Sequence, residues 1–214
     1  HLASLIDDFE TRWERLLARA QETGQRLWNS EMYRYEGVRS LDPLVVGASS
    51  MEAREIVIGR DWLTDHPEGD GSFDIHHLWV SALLRTSCGS YVLGLRSRTT
   101  LNADLYGLVG GGLSKTEGIV QTGADVERVL HGELLEEVGV FPQDIERSVC
   151  LGMILPPRHG VGFVHLPSLA VDRETLERRF AERPTDEIVS LSYLRGEELV
   201  PLLGSGRVLV GHAV

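Results

Sequence analysis

Leu5, Phe9, Trp13, Leu16, Leu17 and Ala20 recur at three- and four-residue steps between about residues 4 and 22. That spacing predicts an amphipathic helix, which Gly24 ends. The pattern then shortens into runs rich in β-forming residues, and MYRYEGVRSL, DPLVVGAS and REIVIG each predict a strand. Asp65 to Ser72, DHPEGDGS, is dense in turn formers and marks a loop or a boundary. HLWVSALLRT and SYVLGLRSR, divided by SCG, predict a hairpin or consecutive central strands, and DLYGLVGGG a strand that runs into a glycine triplet. A loop from Gly112 to Gly123 leads to a helix around Asp125–Val138. RSVCLGMIL and GVGFVHLPSLAV predict two more strands split by PPRHG. DRETLERRFAE predicts a helix with Asp172 as N-cap, EIVSLSYL a last strand and GEELVPLL a short helix. No repeat or low-complexity tract is visible. Strands outnumber scattered helices, which predicts an α+β architecture. A helical and β-rich extension over residues 1–72 is expected to pack on a second unit over 73–214.

Composition narrows the function classes. The 214 residues are 42% hydrophobic and 25% charged, ordinary for a soluble globular protein, and no apolar run is long enough to cross a membrane. Cys88 and Cys150 make no disulfide framework. They are expected to be small buried residues in a reducing, cytoplasmic setting. A net charge of −11 argues against a nucleic-acid partner, which needs clustered Lys and Arg, and leaves small anions open.

The candidate chemistry lies in HGELLEEVGV, His131–Val140. Successive helical residues turn by about 100°, so Glu133, Glu136 and Glu137 project within a sector of roughly 100°. Leu130, Leu134 and Val138 form a stripe beside them. Acidic clusters on helices are usually solvated faces. Here the helix stops abruptly at Gly139 and Val140, the triplet Gly110–Gly112 ends the preceding strand, and Arg96 and Arg98 stand close in sequence. Three crowded carboxylates repel one another, and a hard divalent cation is the natural compensation. Arg96 and Arg98, two apart on a strand, are expected to project to one side, where paired guanidinium groups suit phosphate oxygens.

GELLEEVGV resembles the second half of the Nudix box, G-x5-E-x7-R-E-U-x-E-E-x-G-U, with U a bulky aliphatic residue. Glu133, Glu136, Glu137, Gly139 and Val140 fall on its E, E, E, G and U, and Leu134 on the intervening U. LYGLVGGG resembles the lead-in, and the similarity extends over roughly residues 75 to 205. The box arginine falls on Gly132, its first glutamate on Ala124 and its initial glycine on Gly118, and the loop before the helix is longer than usual. Asp125 or Glu117 stands in reserve for the lost acid, and Arg128 or Lys115 for the lost base.

The resemblance implies an α/β/α sandwich with a mixed sheet. It also implies Mg²⁺- or Mn²⁺-dependent hydrolysis of a nucleoside diphosphate linked to a further group. Glu133, Glu136 and Glu137 would be the metal ligands. Glu187, before the EIVSLSYL strand, would be a base or a substrate ligand, and Arg96, Arg98, Gly111, Gly112 and Lys115 would bind substrate. ETRWERLLARAQETGQRLWNSEMYRYEGVRS resembles the start of atypical Nudix enzymes that cleave UDP-glucose and UDP-galactose to UMP and a sugar 1-phosphate. Trp28, Tyr33 and Arg34 within it are expected to pack between layers. The competing readings are a hydrolase of ADP-ribose or of a free nucleotide, and a nucleotide-binding module that has lost catalysis. The expected partner is a small nucleoside diphosphate, with no nucleic acid and no membrane; a homodimer stays open.

Overall fold

The computed structural model describes residues 6–67, 75–100, 104–155, 160–183, 185–203 and 208–209. Its first part comprises helix α1 (Phe9–Thr23), strands β1 (Glu31–Leu41) and β2 (Leu44–Glu52), and helix α2 (Ala53–Asp65). The two strands form an antiparallel hairpin running from Glu31↔Glu52 to Leu41↔Leu44. Phe9, Met32, Met51, Ile56, Ile58 and Ile75 build a core of their own between hairpin and helices.

α2 corrects a sequence expectation, since REIVIG lies inside it and is not a strand. A short apolar run carries no decisive period. The cap decides here: Glu52 and Glu55 form a reciprocal capping box, and Ala53, Ile56 and Val57 then fall at helical steps and are buried.

The second part contains β3 (Leu78–Ala82), β4 (Leu84–Arg85), β5 (Tyr91–Arg96), β6 (Tyr106–Gly107), β7 (Val109–Gly112), α3 (Gly123–Val138) and β8 (Ile145–Ile154). It continues with β9 (Val161–Leu169), α4 (Arg173–Glu182), β10 (Ile188–Leu194), α5 (Gly196–Leu203) and β11 (Val208–Leu209). β3 to β11 make one mixed sheet. β9 runs parallel to β3 and β4, and β5 runs antiparallel to β4, β6 and β10. Side chains alternate across it, as strand geometry requires. Leu78, Val80 and Ala82 face a core shared with Leu130 and Leu134 of α3 and Leu176 of α4, while Trp79 and Leu93 face Leu199 of α5. Helices thus cover both faces, which is the predicted α+β sandwich.

Two predicted strands are each divided. HLWVSALLRT breaks at Leu83 and DLYGLVGGG at Leu108. The break lets β6 pair with β5 while β7 crosses to pair with β3. EIVSLSYL forms β10 and is not the last strand, because β11 follows α5. The boundary placed between residues 72 and 73 lies outside the described residues. The hairpin is bonded to the sandwich nonetheless: Tyr33 N–H donates to Leu113 O and Tyr35 N–H to His76 O. The Tyr33 hydroxyl accepts from Val120 N–H at 3.0 Å, so Tyr33 lies between layers as expected. Trp28 does not; it is 45% exposed. Both cysteines are also exposed, not buried. Hydrogen bonding, first from Thr86, brings the Cys88 thiol down to about 7. Among the described residues no helix is long and apolar enough to cross a membrane.

Candidate active site

α3 begins at a capping box. Thr122 Oγ1 accepts from Asp125 N–H, and Asp125 accepts from the N–H groups of Gln121 and Thr122 at 3.1 and 2.9 Å. Asp125 therefore holds the end of the long loop, with Arg128 3.9 Å from it. The side chain of Glu117 lies outside what the structure describes. At its other end the helix closes on Gly139, with a left-handed φ of 70°; Gly139 N–H donates to Leu135 O and Val140 N–H to Leu134 O.

Between these ends the three glutamates differ in depth, for a geometric reason. Taking Glu133 as origin, Glu137 lies about 40° toward the leucine stripe and Glu136 about 60° away from it, at ~100° per residue. Leu130, Leu134 and Val138 are fully buried, so Glu137 is drawn in with them and is 4% exposed. Glu133 is intermediate and Glu136 exposed.

Glu137 is held from two elements. Gly110 N–H of β7 donates to its Oε2 at 2.9 Å, and Arg96 Nη1 of β5 stands 3.6 Å from Oε1. Arg96 is itself buried, and its Nη2 donates to Glu187 Oε2 at 3.2 Å. Glu187 is fixed by its backbone: its carbonyl accepts from Ser97 N–H, and its N–H donates to Thr185 Oγ1. Burial pushes the Glu137 carboxyl well above the usual carboxylate range. The Arg96 charge and the Gly110 N–H oppose that shift, the Glu187 charge adds to it, and burial prevails.

Glu133 lies over Gly111, where a Cβ would stand 1.9 Å from its Oε1. Only glycine leaves room for that carboxylate against β7. These donors suit a hard divalent cation in kind, being all oxygen, with Glu137 Oε1 buried and accepting no hydrogen bond. Among the described residues, however, no three His, Cys, Asp or Glu side chains converge closely enough to hold an ion as they stand.

The remaining expected ligands divide. Arg96 and Gly111 join the carboxylates. β5 ends at Arg96, so Arg98 is no longer on the strand; its side chain is 87% exposed and lies 3.6 Å from Asp104. The expected same-side arginine pair does not form. Lys115 turns to the hairpin, with Nζ 2.7 Å from Glu31 and above the Tyr33 ring. Gly112 abuts Met32. Arg34, expected to pack between layers and not to bind ligand, is half-buried and lies 3.4 Å from Glu36.

A cleft of about 510 Å³ opens beside Arg96 and Glu187, with a wall formed by α1 and residues 25–28. Sequence pattern assigns Gly110 no separate role, because its N–H acts through the backbone, and Trp28 on this wall, expected to pack between layers, is exposed.

No family model matches the chain, and no curated protein matches it. Solved structures do. A protein from Deinococcus radiodurans is 20% identical over 63% of this chain and 76% of its own, with a TM-score of 0.43. A MutT protein from Methanosarcina mazei Go1 is 20% identical over 63% of this chain and 85% of its own, at 0.40. A MutT NUDIX hydrolase from Burkholderia pseudomallei is 20% identical over 60% of this chain and 97% of its own, at 0.36. At these values the likeness assigns no activity, and the chemistry rests with the chain's own residues.

Proposed function

We propose that this chain is a Nudix-type pyrophosphohydrolase that cleaves the diphosphate of a nucleoside diphosphate linked to another group. The favoured substrate is a nucleotide sugar such as UDP-glucose. One observation carries the reading: a buried carboxylate, Glu137, has an oxygen with no hydrogen-bond donor and shares Arg96 with a second carboxylate, Glu187. The ionised form of such a carboxylate is costly unless a cation completes it, and without one burial favours the protonated form.

Mg²⁺ or Mn²⁺ bound by Glu133, Glu136 and Glu137 would neutralise diphosphate charge and acidify a water. The chain's own residues do the rest. Arg96 pins Glu137 and Glu187 to the end of β5, and Gly110 N–H fixes the second Glu137 oxygen. Glu187, with its side chain 44% exposed at the cleft, is the group available to take the proton of the attacking water. The water oxygen bonds to phosphorus, the bridging P–O bond breaks, and two phosphate monoesters leave. For UDP-glucose, attack at either phosphorus gives UMP and glucose 1-phosphate. Ala124 and Gly132 replace two box residues, and Asp125 with Arg128 supports the loop in their stead.

The separated carboxylates favour a second reading, a nucleotide-binding module without turnover. Incubating the protein with Mg²⁺ or Mn²⁺ and UDP-glucose, ADP-ribose and nucleoside triphosphates, followed by ³¹P NMR, distinguishes the two. Metal-dependent release of UMP and sugar 1-phosphate, lost in Glu137→Gln, supports hydrolysis. Binding of the same compounds with no product supports the module.

A further inference from the structure

The cleft beside Arg96 and Glu187 joins two parts of the chain. It is lined by the arginine and carboxylate of the site and by the end of α1 and the segment after it, including Gln21, Gln25 and Trp28. Trp28 is unusual among the tryptophans. Trp79 is fully buried, Trp62 is stacked on His66 at 4.1 Å, and Trp13 packs on the N-terminal core. Trp28 is 45% exposed on the cleft wall.

The segment that carries Trp28 is anchored toward the site. Arg26 N–H donates to Thr99 O at 3.0 Å, and the Arg26 guanidinium pairs with Asp186, the neighbour of Glu187. Ser97 and Thr99 hydroxyls both donate to Asp186 O. Trp28 is thus positioned relative to Glu187 by bonds that cross from the N-terminal part to the sandwich.

From this we infer that the N-terminal segment supplies a nucleobase subsite, in which a planar base stacks on Trp28 while its phosphates extend toward Arg96 and Glu187. The inference rests on the proposed diphosphate chemistry only for the direction in which the ligand lies. An exposed indole offers a flat apolar face, which suits any base. The side-chain amides of Gln21 and Gln25 each present a donor and an acceptor, the complement of a base edge. The cleft volume is in the range of small-ligand sites. The net charge of −11 disfavours a nucleic acid as the occupant.

The test combines binding with kinetics on the full chain. UMP, titrated without metal, is expected to quench tryptophan fluorescence in the parent protein and not in Trp28→Ala. In turnover of UDP-glucose, Trp28→Ala is expected to raise KM about 5- to 150-fold, the range of one lost base–aromatic stack. Most of the loss falls on KM and little on kcat. Trp28→Phe should recover most of it. Ribose 5-diphosphate, which carries no base, should respond far less to the same substitution. Gln25→Ala, on the surface of the same wall, gives a second variant with an intact indole and an expected smaller rise in KM. Quenching that survives in Trp28→Ala, or a KM within about twofold of the parent, overturns the subsite. Absence of turnover in the parent with quenching intact would refute hydrolysis and leave the base subsite standing.

Discussion

Two buried charge clusters in this molecule have opposite outcomes. In the N-terminal part, Arg12 of α1 is buried and meets Asp8, Asp61 and Asp65, each at 2.8 Å. Burial works against its charge, the three carboxylates more than compensate, and the Arg12 pKa is raised. At the candidate site the deeply buried acid is a carboxylate, and its one arginine, Arg96, is divided between Glu137 and Glu187. Burial overcomes the partner there, and Glu137 is disfavoured as a carboxylate. The first cluster is saturated and ties α1 to α2. Its aspartates reach solvent, whereas Glu137 in the second is buried with only a shared arginine to offset it, which is what a site awaiting a cation requires. Groups perturbed by burial and beside a cleft are where function concentrates.

Substitutions at the unsaturated cluster should have the largest effect. Glu137→Gln and Glu136→Gln are each expected to slow metal-dependent hydrolysis by at least about 10²- to 10³-fold, read by product release at saturating substrate. A rate within about tenfold of the parent in both would remove these residues from the chemistry. Glu137→Gln should also change stability in a pH-dependent way. A carboxyl raised in the folded state contributes stability below its unfolded pKa, near 4.3, and loses that contribution as pH rises through the folded value. Metal-free Glu137→Gln should therefore gain in Tm on the parent as pH is raised from 5 to 8.

Leu134→Ala tests the stripe that sets the depth of Glu137. Leu134 is fully buried, and its truncation is expected to destabilise the fold by about 2–5 kcal/mol in urea denaturation. Gly111→Ala is the gentler probe. Its methyl would displace the end of the Glu133 side chain, so stability should change little while activity or metal affinity falls about 10- to 100-fold. A parent-like rate in a folded Gly111→Ala protein would show that Glu133 need not lie against β7.

The saturated cluster gives the smallest effect and the opposite pH sign. Hydrogen bonding to Arg12 lowers the Asp65 pKa. Its contribution is present above the unfolded value, near 3.9, and is lost as pH falls through the folded one. Arg12→Met should cost about 1–3 kcal/mol at neutral pH, with the difference from the parent narrowing in acid. Equal losses at pH 7 and pH 3 would contradict the assignment.

Much of the candidate site was legible because helical periodicity places residues by angle. Glu133, Glu136 and Glu137 beside Leu130, Leu134 and Val138 needed no tertiary information. Arg98 was misplaced because its expected direction assumed that β5 continues past Arg96, and strand ends leave no clear trace in sequence. Lys115 was drawn away by Glu31 on a distant strand. The REIVIG segment of α2 read as a strand because its apolar run is short and its capping box is acidic, Glu52 with Glu55, without the usual Ser or Thr. Asp125 was one of two candidate replacements, and its bonds to the loop backbone identify its structural task.

The central claim is that the charge deficit around Glu137 is filled by a divalent ion. Titrating Mn²⁺ into the intact chain at pH 8 while following Tm tests it most directly, since a ligand that binds only the folded state raises Tm with concentration. The account predicts a saturable rise in the parent that is absent in Glu137→Gln. The same rise in both proteins would contradict it.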